Sequence, residues 1–565
     1  MKQELAQSIA AVVTEVFGVN VDIELTRPDE QFGDYSTNVS LQLAKQLGKN
    51  PRDVAEALRE KVLETLEEKV FDVTVAGPGF LNIVLSDEAL TIMLAAEHKP
   101  PQILAGRTYV VEYSDPNPFK PLHAGHLYTT LVGDTIARLV EHAGAQTIRI
   151  NYGGDVGLHV GKSMWSILET LGGELPEKLD DIPVVERPVW LGKRYVEGNT
   201  AYETDEKAKA AIVATNKRVY QVHSSDDHDS PFAHIYWTCR QWSYEYFDQL
   251  YHQLQVAPFA RFIPESEVTP LGVQTVQEEL KKGVFTRSDG AVVFEGDKVG
   301  LHTRVFITSE GIPTYEAKDV GLSLTKWQDY HFDQSIIITA NEQAQYMQVV
   351  LAAIGQFAPE PAERTRHLTH GVVKLQGGVK ISSRKGNGPS ALDILEAARV
   401  AGEATGTNPS EDTILAAVKY AFARNRIGGD IAYDPKESIA LEGNSGPYLQ
   451  YAHARARSIL QKAADSYMQV GNVPLLEDPF EPDERSLLRK VTEYNEAVER
   501  ATNELMPHHV CTYLYELAQQ FNSFYEHNRV IGDARQAVRL MLVEYYANTL
   551  KSGLELLGIV APDKM

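Results

Sequence analysis

The sequence predicts a multidomain protein: an α/β Rossmann-like domain carrying an insertion, a small α+β domain before it and an all-α bundle after it. Three observations predict this. Residues 108–151 read as strand, turn, helix and strand, the pattern of a βαβ unit in a parallel sheet. The same alternation resumes after a long mixed stretch at about 160–300, and helical periodicity dominates beyond residue 410. The 565 residues are enough for about three to five domains.

In chain order, residues 1–105 form a first unit. Helical periodicity appears at Thr37–Leu47 and Val54–Leu66, and two β-branched runs, Phe71–Val75 and Phe80–Leu85, flank the turn Ala76-Gly77-Pro78-Gly79. That is a hairpin signal. His98-Lys99-Pro100-Pro101 reads as a linker into the α/β domain, residues 106–400. Its first strand is Thr108–Tyr113, then a turn, a helix from about His123 to His142 closed by Gly144 as a C-cap, and a strand at Gln146–Asn151. Inside the insertion, Asp205–Gln221 and Trp237–Leu254 are helical. Downstream, Arg304–Thr308, Gln334–Thr339 and His367–Leu375 read as strands alternating with helices at Glu316–Trp327 and Glu342–Phe357. A sheet in two parts suits nucleotide binding. Gly402–Ser410 looks like a linker, residues 401–444 a connecting helical segment, and 445–565 the bundle. The helical patterns from there on are Thr413–Arg424, Tyr448–Tyr467, Pro482–Asn503, Val510–Asn528 and Asp533–Leu557.

Composition narrows the class. With 43% hydrophobic and 23% charged residues the chain is globular in character. Two cysteines, Cys239 and Cys511, exclude a disulfide framework or a cysteine-rich zinc site. The start is not a signal peptide, and no run of about 20 apolar residues exists to span a bilayer. The chain has 54 Lys and Arg against 77 Asp and Glu, a formal charge of −23 at pH 7. That opposes indiscriminate binding to nucleic acid through bulk positive potential.

Two constellations carry chemistry. His123-Ala124-Gly125-His126 stands at a helix start after a proline-rich turn. Histidines at i and i+3 share a helical face, and free N–H groups with the positive dipole end favour phosphate there. Gly125 removes a side chain where a nucleotide must come close. Alone, such a pair reads more readily as surface or metal-binding histidines; the strand-turn-helix context turns the reading to phosphate. The second is 374–392, with four basic residues and no acidic one. Its glycines, hydroxyls and cations suit a mobile loop over a polyphosphate leaving group, although a solvated turn has the same composition.

Together, H-x-G-H early and Lys380-Ile381-Ser382-Ser383-Arg384 late resemble the two signature motifs of class I aminoacyl-tRNA synthetases. The surrounding residues narrow the resemblance to the arginyl-tRNA synthetase family. Those are Val111–Asn117, Lys120–His126, Pro313-Thr314-Tyr315 through Asp319, Glu442–Arg455, Phe32–Asn38 and the terminal Pro562–Met565. The resemblance covers nearly the whole chain. It implies a class I catalytic domain, an N-terminal domain that reaches the outer corner of the tRNA and a C-terminal anticodon-binding domain. It further implies activation of L-arginine with Mg-ATP and transfer to the 3′ end of arginine tRNA, with tRNA bound before activation is efficient.

The resemblance places Glu112, Ser114, Asn117, Tyr315, Asp319 and Gln343 around the arginine. Carboxylates, amides and a phenol are the composition a planar, five-donor guanidinium requires. Tyr315 and Asp319, at i and i+4, share a helical face; without the family, Asp319 reads as a surface acid. Lys120, Gly125, His123, His126 and Lys380 would bind ATP, with His123, His126, Lys380, Ser382, Ser383 and Arg384 catalytic. Lys120 reads equally as a phosphate ligand or a surface lysine. Asn38, Tyr448, Gln450, Tyr451, Arg455, Tyr546 and Met565 are tRNA candidates, and Tyr448 and Tyr451 read equally as bundle-core aromatics. Three positions depart from the pattern. Ile381 stands where many members have methionine, Arg384 where the general class motif ends in lysine, and Asp115 where serine is frequent, adding negative charge near the phosphates.

The expected protein is therefore a cytoplasmic, monomeric ligase using ATP with Mg2+ and no zinc, and having no membrane partner. A nucleotidylyltransferase acting without tRNA would leave the first domain and the bundle unexplained. A non-catalytic relative is opposed by the intact histidines and basic loop. Residues 445–565 hold 12 basic against 16 acidic residues. The tRNA is then met by local basic and aromatic patches on a surface that otherwise repels RNA, a background that favours selectivity.

Overall fold

The computed structural model describes residues 1–96, 99–376, 389–406, 408–465 and 479–565. Lys380, Ile381, Ser382, Ser383 and Arg384 lie outside them, as do His98 of the expected linker and the end of the helix expected to reach Tyr467. The first domain packs the helices Lys2–Phe17, Val39–Leu47, Pro51–Thr65 and Asp87–Ala96 around an antiparallel sheet. Its strands are β1 (Tyr35–Thr37), β2 (Val70–Ala76) and β3 (Phe80–Leu85), in the order β1-β3-β2. The expected hairpin is the β2–β3 pair, and apolar residues such as Val73, Leu81 and Ile83 alternate into the core.

The central sheet holds β4 (Thr108–Glu112), β5 (Gln146–Gly153), β6 (Arg261–Pro264) and, after the three strands of a second sheet, β10 (Gln334–Ala340) and β11 (Thr365–His370). All five are parallel, in the order β11-β10-β4-β5-β6. Chain order reverses between β4 and β10, and the carboxyl ends of strands at such a switch point frame a ligand crevice. The helix after β4 runs Ala124–His142. Its C-cap is Ala143 rather than Gly144, which follows it at φ 94°.

Two strand expectations change. Arg304–Thr308 was expected in the parallel alternation, but it lies in a separate antiparallel sheet of β7 (Thr286–Ser288), β8 (Ala291–Phe294) and β9 (Arg304–Ile307). The β7–β8 turn is Asp289-Gly290, both with positive φ, a hairpin signal that reassigns β9's neighbours. His367–Leu375, expected as one strand, divides into β11 and β12 (Val373–Leu375), and β12 pairs with β13 (Ile431–Tyr433). The stretch about 160–300 is not one continuous excursion either. Four residues ending in proline, Arg261–Pro264, return to the sheet as its edge strand, where a missing N–H is tolerated.

Beyond residue 410 the chain is mostly helical: Glu411–Ala423, Gly446–Asp465, Pro482–Val491, Tyr494–Glu504, His508–His527 and Gln536–Leu556. The single helix expected over 482–503 breaks between Val491 and Tyr494. One buried apolar cluster runs through both the first domain and this bundle. Buried charge joins them as well. The Asp34 carboxylate, fully buried, accepts bonds from Leu85 N (2.7 Å) and an Arg485 guanidinium N–H (2.6 Å). Glu496 accepts from Lys2 Nζ at 2.8 Å and from Tyr35 Oη at 2.8 Å. No helix among the described residues is long and apolar enough to cross a membrane.

Candidate active site

The two signature histidines form a capping pair. His123 is the N-cap of the Ala124–His142 helix, and its Nδ1 accepts the Gly125 N–H at 3.1 Å. His126 Nδ1 in turn accepts the His123 N–H at 3.4 Å, and the ring centroids lie 3.8 Å apart. Two Nδ1 acceptors require the Nε2–H tautomer of each neutral ring. Burial and the neighbouring Lys120 cation push both pKa values below the ordinary histidine range, with His123 lowering His126 further. At neutral pH the site therefore presents two uncharged Nε2–H donors. A Cβ on Gly125 would stand 3.0 Å from the His123 ring, so this glycine makes room for the imidazole.

Lys120 is not a simple surface lysine. It is half-buried with Nζ 4.8 Å over the Tyr195 ring, and burial, then Lys162, bring its pKa down to about 8. The chain beyond the basic segment resumes against the histidines: Ala124 N donates to Pro389 O (2.9 Å), and His123 bridges Ser390.

Beside the histidines, the turn after β4 is held in unusual backbone, with φ of 76° at Ser114, 47° at Asp115 and 68° at Phe119. Positive φ in residues other than glycine persists only where surroundings enforce it, and here side chains stitch the turn to the end of β5. Asp115 Oδ1 accepts Tyr152 N–H at 2.8 Å, and Asn117 Oδ1 accepts Gly154 N–H at 2.8 Å. Asp115 thus faces the expected arginine side. Burial raises its carboxyl well above the usual range, and Glu112 and Asp319 add to the rise. Ser114 is buried and already occupied, bonded to Tyr251 Oη (2.8 Å) and accepting from Thr130 Oγ1 (2.7 Å). Its hydroxyl holds the turn in place.

Glu112, at the end of β4, is buried and paired with Lys326, whose Nζ stands 2.5 Å from Oε2 and 3.3 Å from Ser335 Oγ. The helix Tyr315–Tyr330 supplies that lysine, and Tyr315 and Asp319 at its start. Tyr315 is 53% exposed, whereas Asp319 is 9% exposed and accepts from Tyr346 Oη at 2.5 Å. Burial, reinforced by Glu112 and Glu265, lifts Asp319 to about 7 despite that bond. Gln343 stands exposed just after β10. A second buried pair, Lys318 with Glu265 (2.5 Å), joins this helix to the helix Glu265–Lys282. Lys326, Lys318, Glu265 and Tyr346 escaped the sequence reading. Lys326 was within reach, since spacings of 7 and 11 place it on the face shared by Asp319 and Tyr315.

The tRNA candidates separate by burial. Gln450 and Tyr546 are fully buried: Gln450 Nε2 donates to Val560 O at 2.8 Å, and Tyr546 stacks on Phe521 at 3.8 Å. Both are packing residues in this conformation, because the helix faces that carry them point into the bundle. Tyr451 is 46% exposed and Met565 is 54% exposed. Tyr448 accepts from Asn522 Nδ2 at 2.8 Å, and the Arg455 guanidinium lies 4.5 Å over Tyr525. Asn38 is exposed and accepts from Gln42 Nε2.

Two donor imidazoles at the start of the helix after β4, and a buried carboxylate cluster that includes Glu112 at the carboxyl end of that strand, meet the switch point of a parallel sheet and suit adenylate chemistry on a cationic amino acid. Comparison with known families agrees. Residues 89–428 match the model of the class I (R) tRNA synthetase catalytic domain, residues 1–85 the arginyl tRNA synthetase N-terminal domain and residues 449–565 the DALR anticodon-binding domain. The chain belongs to the arginyl-tRNA synthetase family. Relatives named arginine–tRNA ligase include one from Crocosphaera subtropica, 30% identical with all of both chains covered. Another, from Porphyromonas gingivalis, is 28% identical over all of this chain and 99% of the relative. The Thermus thermophilus arginyl-tRNA synthetase structure superposes with a TM-score of 0.80 at 26% identity, covering 100% of both chains. The Plasmodium falciparum arginyl-tRNA synthetase, 20% identical over 100% of this chain and 99% of that one, shares the fold with a TM-score of 0.79. The three-domain architecture is that of an arginyl-tRNA synthetase, and the chain is an enzyme of the aminoacyl-tRNA ligase class.

Proposed function

We propose that this synthetase activates L-arginine with Mg-ATP and transfers it to the 3′ end of arginine tRNA, using the residues gathered at the carboxyl ends of β4, β5 and β10. The observation that carries the reading is the segment 112–126, which runs from Glu112, clustered with Asp319, through Asn117 to the His123–His126 pair at the start of the next helix. One side is electronegative and buried, the other offers neutral donors. In the first step an arginine carboxylate oxygen attacks the α-phosphorus of ATP. The bond to the bridging oxygen breaks, and pyrophosphate leaves with the electron pair. The two Nε2–H groups donate to phosphate oxygens as charge develops on them, which is stabilisation by preorganised dipoles. Lys120 adds a cation beside them. Lys380, Ser382, Ser383 and Arg384 act on the pyrophosphate side. In the second step a terminal ribose hydroxyl attacks the adenylate carbonyl, AMP leaves, and the hydroxyl proton is lost. No protein nucleophile takes part; positioning and electrostatics supply the rate.

Mg2+ enters with the triphosphate of its substrate. Among the described residues no group of three or more His, Cys, Asp or Glu is placed to hold a metal ion by itself. On the arginine side Tyr315, Asp319, Asn117, Gln343 and Glu112 accept the substrate's N–H groups. Lys326 holds Glu112 in position through their 2.5 Å contact, and Ser114 acts through the turn. Residues 1–105 reach the tRNA corner with Asn38, and 445–565 bind the anticodon arm with Tyr451, Arg455, Tyr448 and Met565. The protein acts as a monomer in the cytoplasm.

ATP–pyrophosphate exchange across the amino acids, with and without arginine tRNA, tests the reading. Exchange is expected with arginine and is expected to rise sharply when tRNA is added. Exchange with lysine instead, or none with tRNA present, would sink it.

A further inference from the structure

Beside the carboxylates stands a buried phenol, Tyr152, whose hydroxyl has no hydrogen-bond partner among the described residues. Tyr152 lies near the end of β5, on the face where Ile148 and Ile150 pack against Val110 and the Tyr315–Tyr330 helix. Strand alternation puts it on the same face as Glu112, which pairs in register with Ile150 one strand away. Burial first, then the negative charge of Glu265, Asp319 and Glu112 with the Tyr346 phenol, raise the pKa of Tyr152 well above the ordinary phenol range. Its backbone is fixed independently: Tyr152 N donates to Asp115 Oδ1, and two residues on Gly154 N donates to Asn117. Asp115, which the sequence left without a role, thereby sets where the phenol stands.

A buried hydroxyl without a partner keeps its full desolvation penalty. Sites tolerate such a group where a ligand completes it. A phenol can both donate and accept; around this one the charged neighbours are carboxylates, so what its oxygen lone pairs lack is a donor, and a guanidinium is donor-only. We propose that Tyr152 is a further arginine contact, its phenol oxygen accepting one N–H of the substrate guanidinium between Asp319 and Glu265. This rests on the arginine reading and adds a specificity-determining group to it. The contact raises discrimination against amino acids that cannot fill this acceptor, since an unfilled site keeps its desolvation cost.

Tyr152→Phe separates the roles. With tRNA present, the arginine KM in exchange is expected to rise about tenfold, the value of one hydrogen bond to a charged group, with the ATP KM unchanged. The melting temperature should hold or rise, because the variant deletes an unpartnered buried hydroxyl. Tyr113→Phe is the comparison. It removes another buried, unpartnered phenol, just past β4 on the opposite face of the sheet, where Asp134 and Arg149 act on it, and should leave the arginine KM at the parent value. An unchanged arginine KM for Tyr152→Phe, or equal rises in both substrates' KM with a lower melting temperature, would overturn the proposal. Failure of the unmodified protein to exchange with arginine would overturn the arginine reading and the Tyr152 contact with it.

Discussion

At the residue scale, Asp319 shows how one side chain can be costly to the fold and useful to the reaction. Its carboxyl is buried among Glu112 and Glu265, and its pKa stands at about 7. Only the ionised form attracts a guanidinium, so the arginine KM should fall as pH rises through 7 and level off above it. Bound arginine should pull the proton off, and titration calorimetry near pH 6.5 in buffers of different ionisation enthalpy would detect its release. The stability sign is opposite. The folded pKa exceeds the unfolded value near 3.8, so the native state binds more protons than the unfolded chain between those values. Stability contributed at this position is then lost as pH climbs from about 4 to above 7. Asp319→Asn should therefore raise the arginine KM far more than the ATP KM, yet melt higher than the parent at pH 8, with the gap closing toward pH 4. A lower melting temperature at pH 8 would contradict the burial argument. Asp319 was legible by its spacing from Tyr315. Its raised pKa was not, because it depends on carboxylates from β4 and from the Glu265–Lys282 helix.

At the element scale, the arginine pocket is built by the pressing together of two helices. A Cβ on Gly272 would meet Ala317 O at 1.9 Å, and one on Gly321 would meet Val268 O at 2.1 Å. The helices Glu265–Lys282 and Tyr315–Tyr330 thus touch backbone to backbone, which brings Lys318 within reach of Glu265. Gly321→Ala should force them apart, at a cost of about 1–3 kcal/mol for overpacking. We expect a lower melting temperature with the arginine KM raised at least severalfold, because Asp319 and Lys326 ride on the displaced helix. Wild-type arginine kinetics in this variant would show that the contact does not set the pocket. The sequence marked the Tyr315–Tyr330 helix to within a few residues at each end, from its periodicity. It did not mark the partner helix, since its close approach is made by two glycines that carry no pattern of their own.

At the scale of the whole molecule, the first domain and the bundle are locked to each other. Asp34, from the Phe32–Asn38 motif, lies against Arg485 and Arg489 of the bundle, and Tyr35 reaches Glu496. This fixes the distance between the two parts expected to grip opposite regions of the tRNA. Removing one member of a buried charge cluster costs about 3–5 kcal/mol, because the others are left uncompensated. Asp34→Ala should therefore speed hydrogen exchange in β1–β3 and in the Lys2–Phe17 helix. It should also raise the KM for arginine tRNA while leaving the arginine KM at saturating tRNA unchanged. Unaltered exchange in the first domain would refute the lock. The net charge of −23 takes on a structural meaning here too: many of the acids, Asp34 and Glu496 among them, are spent on arginines and lysines within the fold.

The sequence by itself determined the family, the βαβ core, the helical bundle and the residues of the two histidines and the carboxylate-bearing helix. These are local patterns, set by the period of a helix or strand and by motifs with fixed spacing. Only the tertiary structure decided that β9 leaves the parallel sheet and that β6 joins it. It alone decided that Gln450 and Tyr546 face inward, that Ser114 is already bonded, and that Glu112 is answered by Lys326. Each of those depends on what packs against a residue from elsewhere in the chain. Strand partners, burial and proton affinity are properties of the neighbour as much as of the residue, and a linear pattern does not contain the neighbour.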